Sequence, residues 1–295
     1  MSKLASRWTL GFSLALLSAV SAWAQAPQGK KVLMITDMEG VSGIFDIELQ
    51  CEPYKSPRWE ESRKLLTGEV NAAADGLFDG GATEVIVWDG HDSGHTLSVL
   101  DIHPRVRLLT GTPVLPALPI DSSLRALIFI GQHPMAGAAN GILSHTEDAA
   151  GVQNWWANGK PVGEIGIWTM VAAEAGVPTI MLSGDTAACK EFLDLVPNGE
   201  CAEVKSGVSR TAGFMLPHAA ATALIREKAR RAMGRLAEIR PYKVTGPVEL
   251  KIEYTTAGVR QPTDRPREGV VQLDPRTWLF RGRTFTEAVF LAFSM

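Results

Sequence analysis

The sequence has few of the residues that build sulfur-based frameworks. It holds three cysteines in 295 residues, Cys51, Cys189 and Cys201, with neither a CxxC pair nor a cysteine–histidine spacing that suits zinc. Any metal site must therefore use oxygen and nitrogen ligands. Three cysteines form no disulfide framework. Cys189 and Cys201 can pair in an oxidising compartment, but we expect buried or separate thiols.

A strong excess of either charge is also absent. The chain carries 29 Lys and Arg against 32 Asp and Glu, a formal net charge of −3. This balance gives no reason to expect nucleic acid or an anionic membrane surface as a partner. With 45% hydrophobic and 21% charged residues, the composition is that of a soluble globular protein with one large core or two modest ones.

Long apolar runs are absent beyond the amino terminus, so no later segment predicts a membrane span. Residues 1–24 have the order of a secretory signal peptide: two basic residues, an apolar run over 10–20, and an Ala-x-Ala cleavage pattern at 22–24. The run is shorter than the ~20 residues that a membrane-spanning helix needs. We expect cleavage after Ala24 and a mature protein that is periplasmic or secreted, without membrane contact.

What the mature chain does contain is a series of short, β-branched apolar runs. They suit strands buried on both faces, and they lie at residues 32–36, 84–88, 106–110, 126–131 and 179–184. Between them, residues 57–81 and 162–176 have the apolar spacing and the glycine or proline stops of helices. Strands that alternate with helices predict an α/β domain over residues 30–205, three-layered with a mostly parallel central sheet.

The pattern changes after about residue 205. Residues 214–240 predict a long amphipathic helix, and residues 248–256 alternate like a strand with one solvated face. Two further strand candidates, "GVVQL" and "TWLFRG", precede a short helix at the end of the chain. We interpret residues 206–295 as a smaller C-terminal α+β subdomain.

Acidic and histidine side chains follow the predicted strands. Ligands bind beyond the carboxyl ends of strands in a parallel α/β sheet, so residues that are distant in sequence are expected to meet there. The six candidates at or just past these ends are Asp37, Glu39, His91, His133, His145 and Glu164. Asp37 and Glu39 are two positions apart on an extended chain, so both can face one cluster.

The chemistry of this set favours a metal site. Three carboxylates at a buried sheet edge repel one another and lose hydration, and two divalent cations compensate them. Carboxylate and imidazole ligands without thiolate suit zinc, and also manganese or cobalt. Taken singly, each residue has an ordinary role: an aspartate in a turn after a strand, a partly buried histidine, or an acid in the first turn of a helix. Only their joint placement indicates a metal centre.

Five short pieces of the sequence match one known family in order and approximate spacing. They are "DMEGVSG", the "DGH" that ends a predicted strand, "GQHP", "LSHT" and "VGEIG". With these pieces the chain resembles the zinc-dependent D-aminopeptidases over about residues 30–290. The resemblance implies an enzyme that removes N-terminal D-residues from short peptides such as D-Ala-D-Ala and that assembles into ring-shaped decamers.

The resemblance also implies a role for each predicted ligand. Asp37 matches an aspartate that bridges two zinc ions. Glu39 and His133 match ligands of one zinc, whereas His91 and Glu164 match ligands of the other. The implied cofactor is therefore two zinc ions per chain.

His145 matches the family histidine proposed as the catalytic nucleophile. Physical chemistry favours a different role, in which a zinc-activated water attacks and His145 transfers a proton to the leaving amine. The sequence leaves both roles open. It departs from the family pattern at Gln132, in the loop after His145 and in a shorter C-terminal helix, and these departures bear on substrate preference and on the decameric ring.

The sequence thus predicts a dinuclear, zinc-dependent metallo-aminopeptidase that acts on short peptides. One alternative is a dinuclear hydrolase of another bond, a phosphoester or another amide, although no phosphate-binding glycine loop or basic cluster accompanies the ligands. The other is a non-enzymatic periplasmic protein that binds peptides or metal. Such a protein would need neither an open metal position nor His145.

Overall fold

A computed structural model describes residues 29–113, 118–259 and 267–294. The predicted signal peptide lies outside these residues. The strands are β1 (Lys31–Thr36), β2 (Glu84–Asp89), β3 (Arg107–Leu109), β4 (Ala126–Gln132), β5 (Val152–Ala157), β6 (Lys160–Pro161), β7 (Thr179–Asp185), β8 (Glu200–Ser209), β9 (Ala212–Met215), β10 (Val248–Tyr254), β11 (Val270–Asp274) and β12 (Thr277–Gly282). The helices are α1 (Ile47–Gln50), α2 (Trp59–Asp79), α3 (Glu164–Glu174), α4 (Thr186–Leu195), α5 (His218–Gly234) and α6 (Phe285–Phe293). None of the helices in this part of the chain is long and apolar enough to cross a membrane.

Seven strands form a central sheet in the order β3-β2-β1-β4-β7-β8-β9. All neighbours pair in parallel except β8 and β9. The five runs that predicted strands in the sequence are all strands of this sheet, and β4 and β7 are buried along their whole length. The predicted α/β fold class, with a mostly parallel central sheet, is therefore confirmed.

The register of the sheet brings three strand ends together. Thr36, the last residue of β1, pairs with Asp89 at the end of β2 and with Ile130 near the end of β4. β1 lies between these two strands, so the segments that follow all three emerge side by side. These segments carry Asp37, Glu39, His91 and His133, four of the five predicted ligands, as expected for the ligand-binding edge of a parallel sheet.

A second, antiparallel sheet has the order β11-β12-β10-β5-β6. The predicted division near residue 205 does not coincide with the division between the two sheets. β5 and β6 precede residue 205 but belong to the second sheet, whereas β8 crosses it and β9 follows it within the central sheet. The division into two domains stays a prediction.

The long helix expected over residues 214–240 is shorter at both ends. Its first residues form β9, which pairs with β8, and α5 begins only after Pro217. Proline suits a helix start because it has no N–H to donate. α5 packs against α2, so it belongs with the central sheet and its apolar face is buried there.

Cys189 and Cys201 form a disulfide, with their Cα atoms 5.8 Å apart. The expectation of separate thiols is therefore wrong. The chain runs through α4, reverses over residues 196–199 and enters β8, which places a residue of the helix beside a residue of the strand. Cys51 is the free, buried cysteine of the described chain.

Candidate metal centre

The loop after β1 is held tightly against the end of β4. The N–H of Asp37 donates to the carbonyl of Ile130 at 2.9 Å, and the N–H of Gly40 donates to that of Gly131 at 2.7 Å. A Cβ at Gly40 would lie 2.2 Å from the carbonyl oxygen of Gln132, so only glycine permits this approach. The contact fixes Asp37 and Glu39 beside the residues that end β4.

A buried lysine supports the same loop from β8. The Lys205 ammonium donates hydrogen bonds to the backbone carbonyls of Glu39 and, at 2.7 Å, of Ile44. Lys205 is only 2% exposed, and burial lowers its pKa to about 8. Lys205 therefore acts as an internal brace for the segment that carries Glu39.

His91 lies in the 3₁₀ turn that follows β2 and faces both acids of the loop. Its Nδ1 is 3.0 Å from Asp37 Oδ1 and 3.1 Å from Glu39 Oε2. Its Nε2 lies 2.8 Å from the carbonyl oxygen of Cys51. A carbonyl only accepts, so Nε2 carries a proton, and in the neutral ring Nδ1 is left to bind a metal, which is the usual arrangement of a ligand histidine.

His133 follows β4, and its two ring nitrogens have the opposite roles to those of His91. Nδ1 lies 3.0 Å from the carbonyl oxygen of Pro134 and donates to it. Nε2 lies 3.2 Å from Asp37 Oδ2 and 3.2 Å from Glu164 Oε1. The two oxygens of Asp37 thus face two different histidines, an arrangement that suits a carboxylate shared by two metal ions.

Glu164 is the first residue of α3 and completes the set. The side-chain amide of Gln132 donates to Asp37 Oδ2 at 3.0 Å and to Glu164 Oε2 at 3.3 Å. This amide ties together carboxylates from two different elements. The Gln132 position, where the sequence departs from the family pattern, therefore supports the ligands directly.

His145 lies beside this cluster, and its ring stacks on that of His133 with centroids 3.8 Å apart. Its Nδ1 is 2.8 Å from the carbonyl oxygen of Leu143, to which it donates, so Nε2 is free to exchange a proton. The structure thus brings together all six residues that the sequence singled out. Their individual roles stay predictions.

The electrostatics of the cluster favour bound cations. Burial opposes ionisation of Asp37, but the attraction of His133 and the hydrogen bond with His91 outweigh it and hold the Asp37 pKa below its usual range. Burial also opposes ionisation of Glu164, but the attraction and the hydrogen bond of His133 outweigh it and lower the pKa of Glu164 to about 2. Burial disfavours the charged forms of both histidines, yet the carboxylates raise their pKa well above the ordinary value. The cluster strongly favours positive charge at its centre.

The donor atoms of the cluster fit divalent cations. Glu39 Oε2 and His133 Nε2 are buried without a hydrogen-bond partner in the described chain, so both are available as ligand atoms for an ion. Ligand atoms of Asp37, Glu39 and His133 lie within 4.8 Å of one another, as do those of His133, His145 and Glu164. Both groups include His133, while the short contacts pair His91 with Glu39, so the assignment of ligands to individual ions stays a prediction.

A cavity of about 270 Å³ opens beside the cluster. One part of its lining is polar and includes Asp37, Gln132 and Glu164, and another part is aromatic, from Trp88 of β2, Trp168 of α3, and Phe290 and Phe293 of α6. Trp88 packs edge-on against Trp168, which stacks on Phe293. The cavity can therefore hold a small ligand with a polar end and an apolar end.

Glu147 also lines this cavity, although it is not among the six residues that the sequence motifs indicate. Its Oε1 is buried without a hydrogen bond, and burial, with Glu164 and Asp37 nearby, raises the pKa of its carboxyl well above the usual value. The available signal was its place two residues after His145 in "LSHTED". Asp89, in contrast, is structural, because its carboxylate accepts from the N–H groups of Thr96 and Leu97 at 2.8 Å each.

A buried cluster of carboxylates and imidazoles beside a cavity, at the carboxyl edge of a parallel sheet, is typical of a metal-dependent hydrolase. A family model described as D-aminopeptidase matches residues 30–292. The chain therefore belongs to the D-aminopeptidase family. The family that the sequence motifs indicated and the predicted enzyme class, a zinc-dependent metallo-aminopeptidase, are both confirmed.

Two individual relatives agree with this membership. The chain is 34% identical over 230 residues to a D-aminopeptidase of Bacillus subtilis (strain 168). The aligned residues make up 77% of this chain and 82% of the relative. A solved structure, the Zn-dependent D-aminopeptidase DppA from Bacillus subtilis, described as a self-compartmentalizing protease, superposes with a TM-score of 0.80 at 30% identity. The superposition covers 89% of this chain and 94% of that one.

Proposed function

We propose that this protein hydrolyses short peptides with an N-terminal D-residue, such as D-Ala-D-Ala, at a site that holds two zinc ions. The observation that carries the proposal is the position of Asp37, whose two carboxylate oxygens face His91 and His133 at the wall of the cavity. Family membership supports the reaction class. The D-aminopeptidases of Bacillus subtilis support the choice of D-residues and of zinc.

The residues that would hold the zinc ions are Asp37, Glu39, His91, His133 and Glu164. Zinc in this position supplies Lewis-acid chemistry, which polarises the scissile carbonyl and makes a water molecule acidic enough to react near neutral pH. The protein fixes the ligands through the backbone carbonyls that accept from both ligand histidines and through the amide of Gln132.

His145 would move the proton that the reaction requires. Cleavage of a peptide bond releases an amine, which leaves only if it gains a proton. The Leu143 carbonyl occupies Nδ1 of His145, so Nε2 is the atom that accepts the proton and delivers it. Stacking on His133 holds the ring in one orientation.

A phosphoesterase fits the cavity less well than a peptidase. Among the residues that the structure describes, no lysine or arginine lines the cavity, and a phosphodiester would bring a negative charge towards several acids. A protein that only binds peptides has no need of a proton-transfer group such as His145.

The test is an assay of the mature protein with D-Ala-D-Ala, L-Ala-L-Ala and bis(p-nitrophenyl) phosphate, after zinc loading and after chelation. We expect zinc-dependent cleavage of D-Ala-D-Ala and little of the other two. Zinc-dependent cleavage of the phosphodiester alone would make the protein a different dinuclear hydrolase. Tight peptide binding without turnover of any substrate would make it a binding protein.

We further propose that the protein is exported and works in the periplasm or outside the cell. The signal-peptide pattern of residues 1–24 supports this location. The Cys189–Cys201 disulfide also supports it, because disulfides persist mainly in oxidising compartments.

We also propose a homo-oligomer, in particular a ring-shaped decamer. The support is the likeness to DppA, which is described as self-compartmentalizing, because a compartment requires several subunits. Light scattering coupled to size-exclusion chromatography should give about ten times the mass of one chain. A single-chain mass would contradict the proposal.

A further inference from the structure

Glu147 presents a carboxylate to the cavity that nothing in the described chain uses. The residue lines the cavity, and its Oε1 is buried without a hydrogen-bond partner. A buried carboxylate oxygen without a partner is costly, because it has lost its hydration and gained nothing in return. Because this oxygen belongs to a residue of the cavity lining, a ligand in the cavity can supply the missing partner.

The backbone of Glu147 is held in an unusual conformation by a predicted zinc ligand. Its φ is +63°, in the left-handed region that non-glycine residues rarely adopt. Its N–H donates to Glu164 Oε1 at 2.7 Å. This hydrogen bond fixes the position of Glu147 relative to the predicted metal ligands.

Glu147 is a fourth acid beside the predicted metal ligands. The groups of ligand atoms that lie within 4.8 Å of one another among the described residues include neither Glu147 nor His91, so they do not by themselves separate ligands from other residues. Asp37, Glu39 and Glu164 already provide the three carboxylates of the cluster. The predicted ligand set is therefore complete without Glu147, whose carboxylate is left for another partner.

The chemistry of the cavity defines what that partner is. No described lysine or arginine lines the cavity, and the amide of Gln132 already donates to Asp37 and Glu164. A partner that brings positive charge and hydrogen-bond donors would favour the ionised form of Glu147 and satisfy its unpartnered oxygen. An N-terminal ammonium group brings one charge and three donors, and pairing with a buried carboxylate is the strong, charge-assisted kind of hydrogen bond.

We propose that Glu147 binds the protonated N-terminal amine of the peptide substrate and so makes the site selective for free amino termini. The inference rests on the proposed function, which it deepens. With the amine at Glu147, the aromatic part of the lining, formed by Trp88, Trp168, Phe290 and Phe293, receives the side chain of the first residue. Glu147 is thus a specificity-determining residue.

The test compares two ligands that the enzyme cannot hydrolyse: D-phenylalaninol and the analogue in which a hydroxyl replaces its amine. Affinities are measured by calorimetry on the zinc-loaded protein. We expect the wild type to bind the amine about 10- to 100-fold more tightly, as for hydrogen bonds to charged groups. Glu147→Gln should reduce this preference to a few-fold while zinc content stays the same.

Two further variants complete the design. Glu48→Gln removes the same charge from an exposed position on α1 outside the cavity lining, and it should keep the wild-type preference. Glu147→Asp keeps the charge on a shorter side chain, so an intermediate preference supports the proposal and guards against a folding defect in Glu147→Gln.

Two results would overturn the inference. An undiminished preference for the amine in Glu147→Gln would place amine recognition elsewhere, and loss of zinc from that variant would make Glu147 a metal ligand. These ligands are bound and not cleaved, so a wild type that is inactive on D-Ala-D-Ala yet shows the Glu147-dependent preference would refute the proposed function and not this inference.

Discussion

At the scale of single residues, backbone carbonyls orient the two histidines that are predicted to be ligands. His91 Nε2 donates a hydrogen bond to the carbonyl of Cys51, and His133 Nδ1 donates one to the carbonyl of Pro134. Each ring therefore presents its other nitrogen to the carboxylates. Such outer hydrogen bonds fix both the tautomer and the orientation of a ligand ring. Neither carbonyl is visible in the sequence as a partner, although Pro134 is adjacent to His133.

His145 should be needed for turnover and not for zinc binding. The His145→Ala variant is expected to retain two zinc ions per chain and to lose about 10²–10⁴-fold in kcat, as is typical for a proton-transfer group. Zinc content by elemental analysis and kcat on D-Ala-D-Ala measure this. His218→Ala, an exposed histidine at the start of α5, is the matched control. Wild-type kcat in His145→Ala would remove the residue from the mechanism.

Asp37 and Glu39 should differ in the number of ions that they hold. Asp37 faces two histidines and Glu39 faces one, so Asp37→Asn should impair both zinc ions and Glu39→Gln chiefly one. Loss of metal should also lower the Tm, because the remaining acids and histidines stay buried without compensation. Elemental analysis and melting curves of both variants give the answer. The bridging role would be refuted by an Asp37→Asn variant that holds two ions and melts like wild type.

At the scale of secondary-structure elements, α2 contributes a buried acid to the loop that carries the ligands. Glu69 Oε1 accepts from the N–H of Ser42 at 2.9 Å, and burial raises its pKa from 4.5 to about 8. Lys205 of β8 donates to the carbonyls of Glu39 and Ile44. Glu69 and Lys205 together support residues 37–44 through their backbone. Two elements distant in sequence therefore hold the loop in place.

Glu69 should make stability fall as the pH rises. Between about pH 4.5 and pH 8 the folded state keeps a proton on Glu69 that the unfolded chain has lost, so the free energy of unfolding decreases across this window. Glu69→Gln cannot ionise and keeps the acceptor for Ser42. Its Tm, relative to wild type, should therefore rise by several degrees from pH 5 to pH 8.

Melting curves at several pH values, recorded with saturating zinc, measure this difference. Glu60→Gln, an exposed acid on the same helix, is the control and should follow the wild type at every pH. A difference between Glu69→Gln and wild type that does not change with pH would show that Glu69 titrates normally.

At the scale of the whole molecule, the disulfide and the predicted signal peptide make one joint prediction. The native protein should begin at Gln25 and should carry Cys189 and Cys201 in oxidised form, because export removes the signal peptide and exposes the chain to oxidising conditions. Mass spectrometry after alkylation without reductant measures both features. An intact Met1 with two free thiols would place the protein inside the cell.

Much of the fold and of the site could be predicted from local sequence. The apolar runs that become β1, β2, β4 and β7 are buried on both faces, so the signal lies within each strand and needs no partner. Asp37, Glu39, His91 and His133 lie just beyond three of these strands and are predictable because their place in the chain fixes their place at the sheet edge. The sequence by itself therefore determined the α/β class and the six candidate residues.

Only the tertiary structure decided which distant segments pair. β5 joins β10 across roughly a hundred residues, β8 continues past the expected boundary, and Cys189 meets Cys201 only because the chain reverses after α4. The place of Glu147 in the cavity lining is decided in the same way, since Asp37, Gln132 and Glu164, which also line the cavity, come from three other segments. Pairing, burial and the loss of a hydrogen-bond partner depend on residues far apart in the chain, so local patterns carry no signal for them.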